Sequence, residues 1–355
     1  MSTPPTTPAP QAEVKAVMDA RSDEVAAKKR KQSITRNIGL AVVLVVVIAL
    51  VDVFTHGDFL TAGNITNVLR QISYNAIMAV GQTFVIITAG IDLSVGSLVG
   101  LTGVVMALVA NMLHTPPPVT FVITLLVGLI VGCGAGWINA LPVVRLGLPP
   151  FITTLAMMQI ARGAAYIFAH GQPIPVVQSA AFDWLGTGAL FGGIPGFGGV
   201  PWIVVVMLLV IAVFAVVLGR TTFGRYVLAD GGNEEAARLA GINVRRVKTL
   251  VYIISGGCAA VAGMILMARF SSGAPQTGTG FELQAIAAVV VGGTSLMGGR
   301  GSIIGTFFGA LLIGVLNNVM NLIGIESYTQ LIVLGLVVLL AVIVDELRKR
   351  YLARA

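Results

Sequence analysis

Residues 201–219 read PWIVVVMLLVIAVFAVVLG and carry no charged side chain at all. A stretch of about 20 apolar residues is what an α-helix needs to cross a bilayer. The chain repeats this pattern along most of its length. Ten such segments are predicted, at 38–55, 72–89, 94–112, 119–139, 150–168, 201–219, 249–269, 282–294, 301–320 and 328–345. The second and eighth are short or interrupted by glycine. Hydrophobic residues make up 56% of the sequence and charged residues 10%, against about a quarter charged in soluble domains. A water-soluble fold cannot hide that much apolar surface. The predicted fold class is therefore all-α: a polytopic membrane protein of about ten transmembrane helices with broken or short spans. Residues 65–70 are expected to form a short amphipathic lead-in at the interface before the second span.

Lipid solvent excludes several function classes. The net charge of +7 could suggest nucleic acid, but its placement reads as topology. Most of the 22 lysines and arginines fall before the first span, in the loop 220–248, after the last span, or at Arg145 and Arg300. Lys and Arg are retained on the cytoplasmic side, so both termini and the loop 220–248 are expected there. Residues 1–35 form a polar, basic N-terminal tail expected to be disordered. Residues 36–346 are expected to form the membrane domain, and 347–355 a basic C-terminal tail. The cysteines Cys133 and Cys258 lie in predicted spans and read as small packing residues. There is no G-x-x-x-x-G-K-[ST] phosphate loop, so no ATP site of that kind belongs to this chain. No metal-ligand spacing and no acid–base or nucleophile constellation appears, which disfavours a membrane-embedded enzyme.

Small residues recur four apart at Gly128, Gly132, Gly136 and at Gly301, Gly305, Gly309. In lipid that spacing lets helix backbones approach. Packing within the bundle is the preferred reading, with a dimer seam as the alternative. GSLVG at 96–100 also echoes GSIIG at 301–305.

Polar side chains inside the apolar segments are the functional candidates. GIDLSVGS at 90–97 places Asp92, Ser94 and Gly96 at a break between spans. Asp92 or Ser94 can cap the following helix, or the break can line a polar pathway. Arg162 lies within the fifth span, where a carboxylate, backbone carbonyls or substrate could receive it. Glu282 opens the eighth span, where an acid suits the helix dipole. Thr294 and Ser295 follow that span and join the pathway candidates. The loop 220–248 contains a complete short helix: Asn233 as N-cap, Glu234 and Glu235 in the first turn, Ala236, Ala237, Arg238 and Leu239, then Gly241 after the end. It reads as a solvated loop helix or as a docking helix for a cytoplasmic partner.

The sequence resembles the permease subunits of bacterial ATP-binding-cassette importers for monosaccharides, the ribose/xylose/galactose group. The carriers are GIDLSVGS at 90–97, ARG at 161–163 with GQPIP at 171–175, GGNEEAARLAGIN at 231–243, AIAAVVVGGTSLMGGRGSIIGT at 285–306 and the segment 317–345. The long polar N-terminus departs from the family pattern. The resemblance implies a multi-pass protein of the bacterial inner membrane that binds no cofactor itself. It implies two permease copies, a cytoplasmic ATPase subunit that uses ATP, and a periplasmic sugar-binding protein, with membrane lipid around them and no nucleic acid. It also implies that EEAARLAG is a coupling helix seated in the ATPase. The competing class is a proton- or sodium-coupled carrier in which Asp92 would be the titrating group.

Overall fold

The computed structural model describes residues 38–177, 179–192 and 199–354. The expected disordered tail, 1–35, lies outside them. Thirteen α-helices and four two-residue strands make up the described fold. The helices are α1 (Ile38–Phe54), α2 (Ala62–Ile87), α3 (Val95–Met112), α4 (Pro117–Leu141), α5 (Pro150–Phe168), α6 (Asp183–Gly186) and α7 (Trp202–Arg220). They continue with α8 (Thr222–Gly232), α9 (Glu234–Leu239), α10 (Val244–Phe270), α11 (Phe281–Val291), α12 (Ile303–Leu322) and α13 (Ser327–Arg354). A π-helical turn, Pro142–Leu146, extends α4.

Each of the ten expected segments falls on one of these helices. Six of the helices are long and apolar enough to cross a membrane: α3, α4 with its extension, α5, α7, α10 and α12. α1, α11 and the apolar part of α13, Ser327–Leu340, are shorter. α2 is long, 26 residues, but Asn64, Asn67, Arg70 and Gln71 dilute its first half. This corrects the expected interfacial lead-in: residues 65–70 are the first turns of α2 itself, continuous with the segment at 72–89. Residues 347–354 of the expected basic C-terminal tail are helical, continuing α13 to Arg354. The strands are a minor exception to an all-α architecture. β1 (Ile174–Pro175) pairs antiparallel with β4 (Ser272–Gly273), and β2 (Ala189–Leu190) with β3 (Val200–Pro201).

α2, α3 and α10 form the centre. From Ile72 to Ile87 every residue of α2 is buried, Ile72, Ile77, Phe84 and Ile87 completely. By contrast α5 and α7 expose apolar residues along their lengths, such as Ile160, Ile167, Leu209 and Val216. In lipid, that outward apolar surface is matched to its solvent.

The two glycine stripes are spent on packing inside the chain. A Cβ on Gly132 would strike the carbonyl of Gly256, and one on Gly256 would strike the carbonyl of Gly132. Gly136 lies equally close to the carbonyl of Tyr252. The α4 stripe is thus a backbone-to-backbone seam with α10. On α12, Gly309 abuts the carbonyl of Ala288 in α11, while Gly301, just before α12, abuts the side chain of Ile87. Both stripes are already covered by neighbours in the same chain, so neither is left free to be a dimer seam.

The loop 220–248 sits at the end of the bundle where α2 terminates, together with the turn at 298–299. Gly299 N–H donates to the Ile87 carbonyl at 2.9 Å, and Gly231 lies against that same carbonyl. This end, rich in arginine, is called the basic end below.

Candidate functional site

Three constellations emerge from the polar residues of the apolar segments. The first is centred on Asp92. After α2 the chain turns through Ala89, at φ 56°, and runs irregularly to α3. Irregular backbone at membrane depth survives only where protein or water satisfies it; here Gly90, Asp92 and Ser94 are buried, while Ile91 and Leu93 are partly buried and Ala89 is exposed. Asp92 is fully buried. Its Oδ1 accepts from the Ser94 N–H at 2.9 Å and from the Ser94 hydroxyl at 2.6 Å. Its Oδ2 accepts from the Ser255 hydroxyl of α10 at 2.8 Å. Asn139 of α4 donates to the Ser94 hydroxyl at 2.9 Å, and Thr154 of α5 donates to the Ile91 carbonyl at 3.0 Å. The Gln82 amide, turned so that both its groups are satisfied, bonds the backbone N–H and carbonyl of Asp92 at 3.1 and 3.3 Å. Ser94 does not cap α3 with its side chain; its hydroxyl is committed to Asp92. The knot therefore ties α2, α4, α5 and α10 to the break before α3. Tyr252 Oη and Asn139 Oδ1 are buried and without a hydrogen-bond partner among the described residues.

The second constellation is a clasp between α3, α5 and the segment leading into α11. Residues 274–280 descend alongside α3 without helical structure. Arg162 of α5 donates to the carbonyls of Pro275 and of Thr277, the latter at 2.9 Å. Gly100 makes room for these groups, and Gly96 makes room for the Glu282 carboxylate and the Gly278 carbonyl. Arg162 is therefore held by backbone carbonyls, with the Glu282 charge acting on it from nearby. Asp92, Ser94 and Gly96 are contiguous with this clasp along α3. Thr294 and Ser295 are not: they lie buried in the turn after α11, where the Ser295 N–H bonds the Arg300 carbonyl at 3.0 Å. That turn packs toward the basic end.

The third constellation is α9. Its caps are local. The Asn233 side chain accepts from the Ala236 N–H at 2.9 Å, and Gly241 takes φ +84° just past the end, a conformation glycine adopts without strain. Among the described residues, both ion pairs involve Glu234. It pairs with Arg238 one turn on, at 2.9 Å, and with Lys248 of α10. Lys248 and Arg238 hold the Glu234 carboxyl below its ordinary range. Glu235 is exposed and Ala237 buried, while Leu239 points outward with 85% of its surface exposed. An apolar residue that exposed, at the tip of a capped helix among arginines, is not covered by any of the described residues.

Asp230, at the end of α8, is a site residue that sequence reasoning missed. It is buried, and neither carboxylate oxygen has a hydrogen-bond partner among the described residues. Burial pushes its pKa up from 3.8 to about 6, against an opposing pull from Lys248. The folded state thus holds this proton more tightly than the unfolded chain does. Folding stability from this group is then greatest below pH 3.8 and falls as pH rises toward 6. A pH series of melting temperatures in detergent is expected to show that decline in the wild type and not in Asp230→Asn.

Sequence reasoning also missed a set of amides at the end opposite the basic one. There a cavity of about 410 Å³ is bordered by Asn64, Asn67, Gln71 and Tyr74 of α2. The ends of α10 and α12 complete it. The signal was present as the spacing of those four residues along one helix face.

Comparison with known proteins agrees with this architecture. A family profile described as "Branched-chain amino acid transport system / permease component" matches residues 64–342. The ribose import permease protein of Escherichia coli K12 is 44% identical over 86% of this chain and 92% of its own length. The fructose import permease protein of Rhizobium meliloti is 38% identical over 86% of this chain and 84% of its own. The xylose transport system permease protein of Escherichia coli K12 is 37% identical, over 88% and 93% respectively. No solved structure matches the chain. With a profile spanning most of its length and relatives matched nearly end to end, the chain belongs to this family of transport-system permeases.

Proposed function

We propose that the chain is the membrane-spanning permease subunit of an ATP-driven importer that moves a monosaccharide of the ribose, xylose or fructose kind across the bacterial inner membrane. The observation that carries this is near full-length similarity to permeases named for those three sugars. In this reading both termini and the basic end face the cytoplasm, as the positive-inside pattern requires, and the chain spans the membrane ten times. A separate ATPase subunit receives α9, a periplasmic binding protein delivers the sugar at the opposite end, and a second permease copy completes the pathway. This chain binds no cofactor of its own; ATP is used by the partner.

The mechanism is alternating access. Closure of the ATPase pair pushes α9. The Glu234–Lys248 contact passes that push to α10, which carries Ser255 of the Asp92 knot. The backbone-close seams at Gly132 and Gly256 let α4 and α10 move as one body. The clasp of Arg162 on residues 275–277 then moves with α3 and α5. The competing reading, an ion-coupled carrier, would use Asp92 as its titrating group. The commitment of that carboxylate to Ser94 and Ser255 speaks for a structural role instead.

A helix-breaking replacement within Glu235–Ala240 discriminates the two. In proteoliposomes holding the whole importer, it is expected to abolish sugar uptake while the ATPase continues to hydrolyse ATP. Uptake by vesicles that contain the permease and no ATPase would refute the importer reading.

A further inference from the structure

The amide-bordered cavity belongs to none of the three constellations above. A helix face of amides is costly against lipid and is retained where it meets other protein or water. On α2, Asn64, Asn67, Gln71 and Tyr74 follow one another at intervals of three, four and three, which places them on a single face. Across from them α12 supplies Asn318 and Asn321, and the last turn of α10 supplies Arg269 and Phe270. The volume, about 410 Å³, is in the range of small-molecule sites.

Not all of these groups are equally available. Asn64 and Asn318 bond each other reciprocally at 2.9 and 2.8 Å, which fixes α2 against α12. Gln330 occupies the Asn321 oxygen at 2.8 Å, leaving its amide nitrogen to donate. The side chains of Asn67, Gln71 and Arg269 make no hydrogen bond among the described residues. Each free amide offers a donor and an acceptor side by side. That matches a hydroxyl group, which needs both at once. Phe270 and Tyr74 add ring surface, with Arg269 over the Phe270 ring at 5.6 Å. No carboxylate borders the cavity, so nothing there would favour an amine or a metal cation.

We infer that this cavity is a sugar-reading site within the permease itself: a neutral, polyhydroxylated ligand is held by Asn67, Gln71 and Asn321 at the end opposite α9. The inference rests on the proposed function and adds to it. Selection of the sugar then occurs twice, once in the delivering protein and again at the mouth of the membrane pathway. Tyr74 borders the cavity and stacks on Phe281 at 5.3 Å. Phe281 is the first residue of α11, next to Glu282 in the clasp. An occupied cavity thus bears directly on the segment that Arg162 holds.

The test uses the complete importer in proteoliposomes, with permease, ATPase and binding protein, supplied with radiolabelled D-ribose, D-xylose or D-fructose. Asn67 is exposed and Gln71 half-buried, so leucine at either leaves the core packing alone. Asn67→Leu and Gln71→Leu together are expected to lower the sugar moved per ATP hydrolysed by about tenfold or more, the scale of one or two lost hydrogen bonds. They are also expected to change the preference among the three sugars. Gln71→Asn, which keeps the amide, should recover part of the loss. A double variant with wild-type yield and wild-type preference would overturn the site. So would a wild-type importer that prefers D-ribose 5-phosphate to D-ribose, because the pathway would then read an anion. If the wild type moves none of the three sugars or the phosphate, the proposed function fails, whatever the variants do.

Discussion

Gly231→Ala is expected to cut ATP-driven uptake sharply while the neighbouring Gly232→Ala is tolerated. The two glycines are adjacent in sequence and both end α8. A methyl at Gly232 meets nothing within 4 Å. A methyl at Gly231 would collide with the backbone carbonyl of Ile87 and lie 2.6 Å from the amide nitrogen of Gly299. Neither atom belongs to a side chain that could rotate away, so the α8 terminus must separate from the end of α2 and from the turn at 298–299. Forced overpacking of this kind costs about 1–3 kcal/mol. Here the displacement falls two residues before Asn233, the cap of α9. α9, the proposed coupling helix, would then sit out of register with the rest of the bundle. Uptake per ATP hydrolysed, measured for both variants in proteoliposomes, is expected to fall at least about tenfold for Gly231→Ala, equivalent to about 1.4 kcal/mol. Equal behaviour of the two variants would show that this junction does not transmit the push.

Asp92→Ala is expected to cost the chain its stable fold, and Asp92→Asn to cost much less. Three donors end on the Asp92 carboxylate: the N–H and hydroxyl of Ser94 and the hydroxyl of Ser255. All are buried, and the region already holds the unpartnered oxygens of Tyr252 and Asn139. Each buried donor left without an acceptor costs about 1–3 kcal/mol. A domain's net stability is only about 5–15 kcal/mol, so the alanine variant gives up a large share of it. Asparagine keeps one acceptor oxygen in the same place. Size-exclusion profiles and melting curves in detergent should show Asp92→Ala aggregated or strongly shifted and Asp92→Asn close to wild type. If Asp92→Ala stayed monodisperse and melted like the wild type, the knot would not be holding the break together.

What could be read from the sequence divides along one line: how far apart the interacting residues are. α9 was legible almost residue by residue, because its caps are satisfied within a few positions, at Asn233–Ala236 and at Gly241. The break at GIDLSVGS was legible as a break. Its partners were not, since Ser255 lies 163 residues from Asp92 and Asn139 lies 45 from Ser94. Nothing local marks those serine and asparagine side chains as belonging to the knot. Hydropathy averaging explains the treatment of α2. A window long enough to find spans blurs a face of four residues, and the amides of that face read as an interfacial lead-in. Thr294 and Ser295 follow a glycine-broken span, which the sequence shows; that the turn at Gly298 and Gly299 sets them near Ile87 is a long-range contact that it does not. Similarly, Asp230 sits in an ordinary-looking polar loop; its burial follows from α8 folding back under the bundle.

One helix links the distant parts. α10 is 27 residues long, about 40 Å at 1.5 Å per residue. It begins beside Lys248, which grips α9, passes Ser255 and Gly256, and ends at Arg269 on the rim of the amide cavity. A stiff rod anchored near its waist behaves as a tiller. Swung by about 10° at the end near α9, a beam of that length would sweep its tip sideways by several ångströms, on the order of one helical rise per turn. The grip on a sugar could then be loosened by the same stroke that opens the way beneath it, without any signal passing from residue to residue.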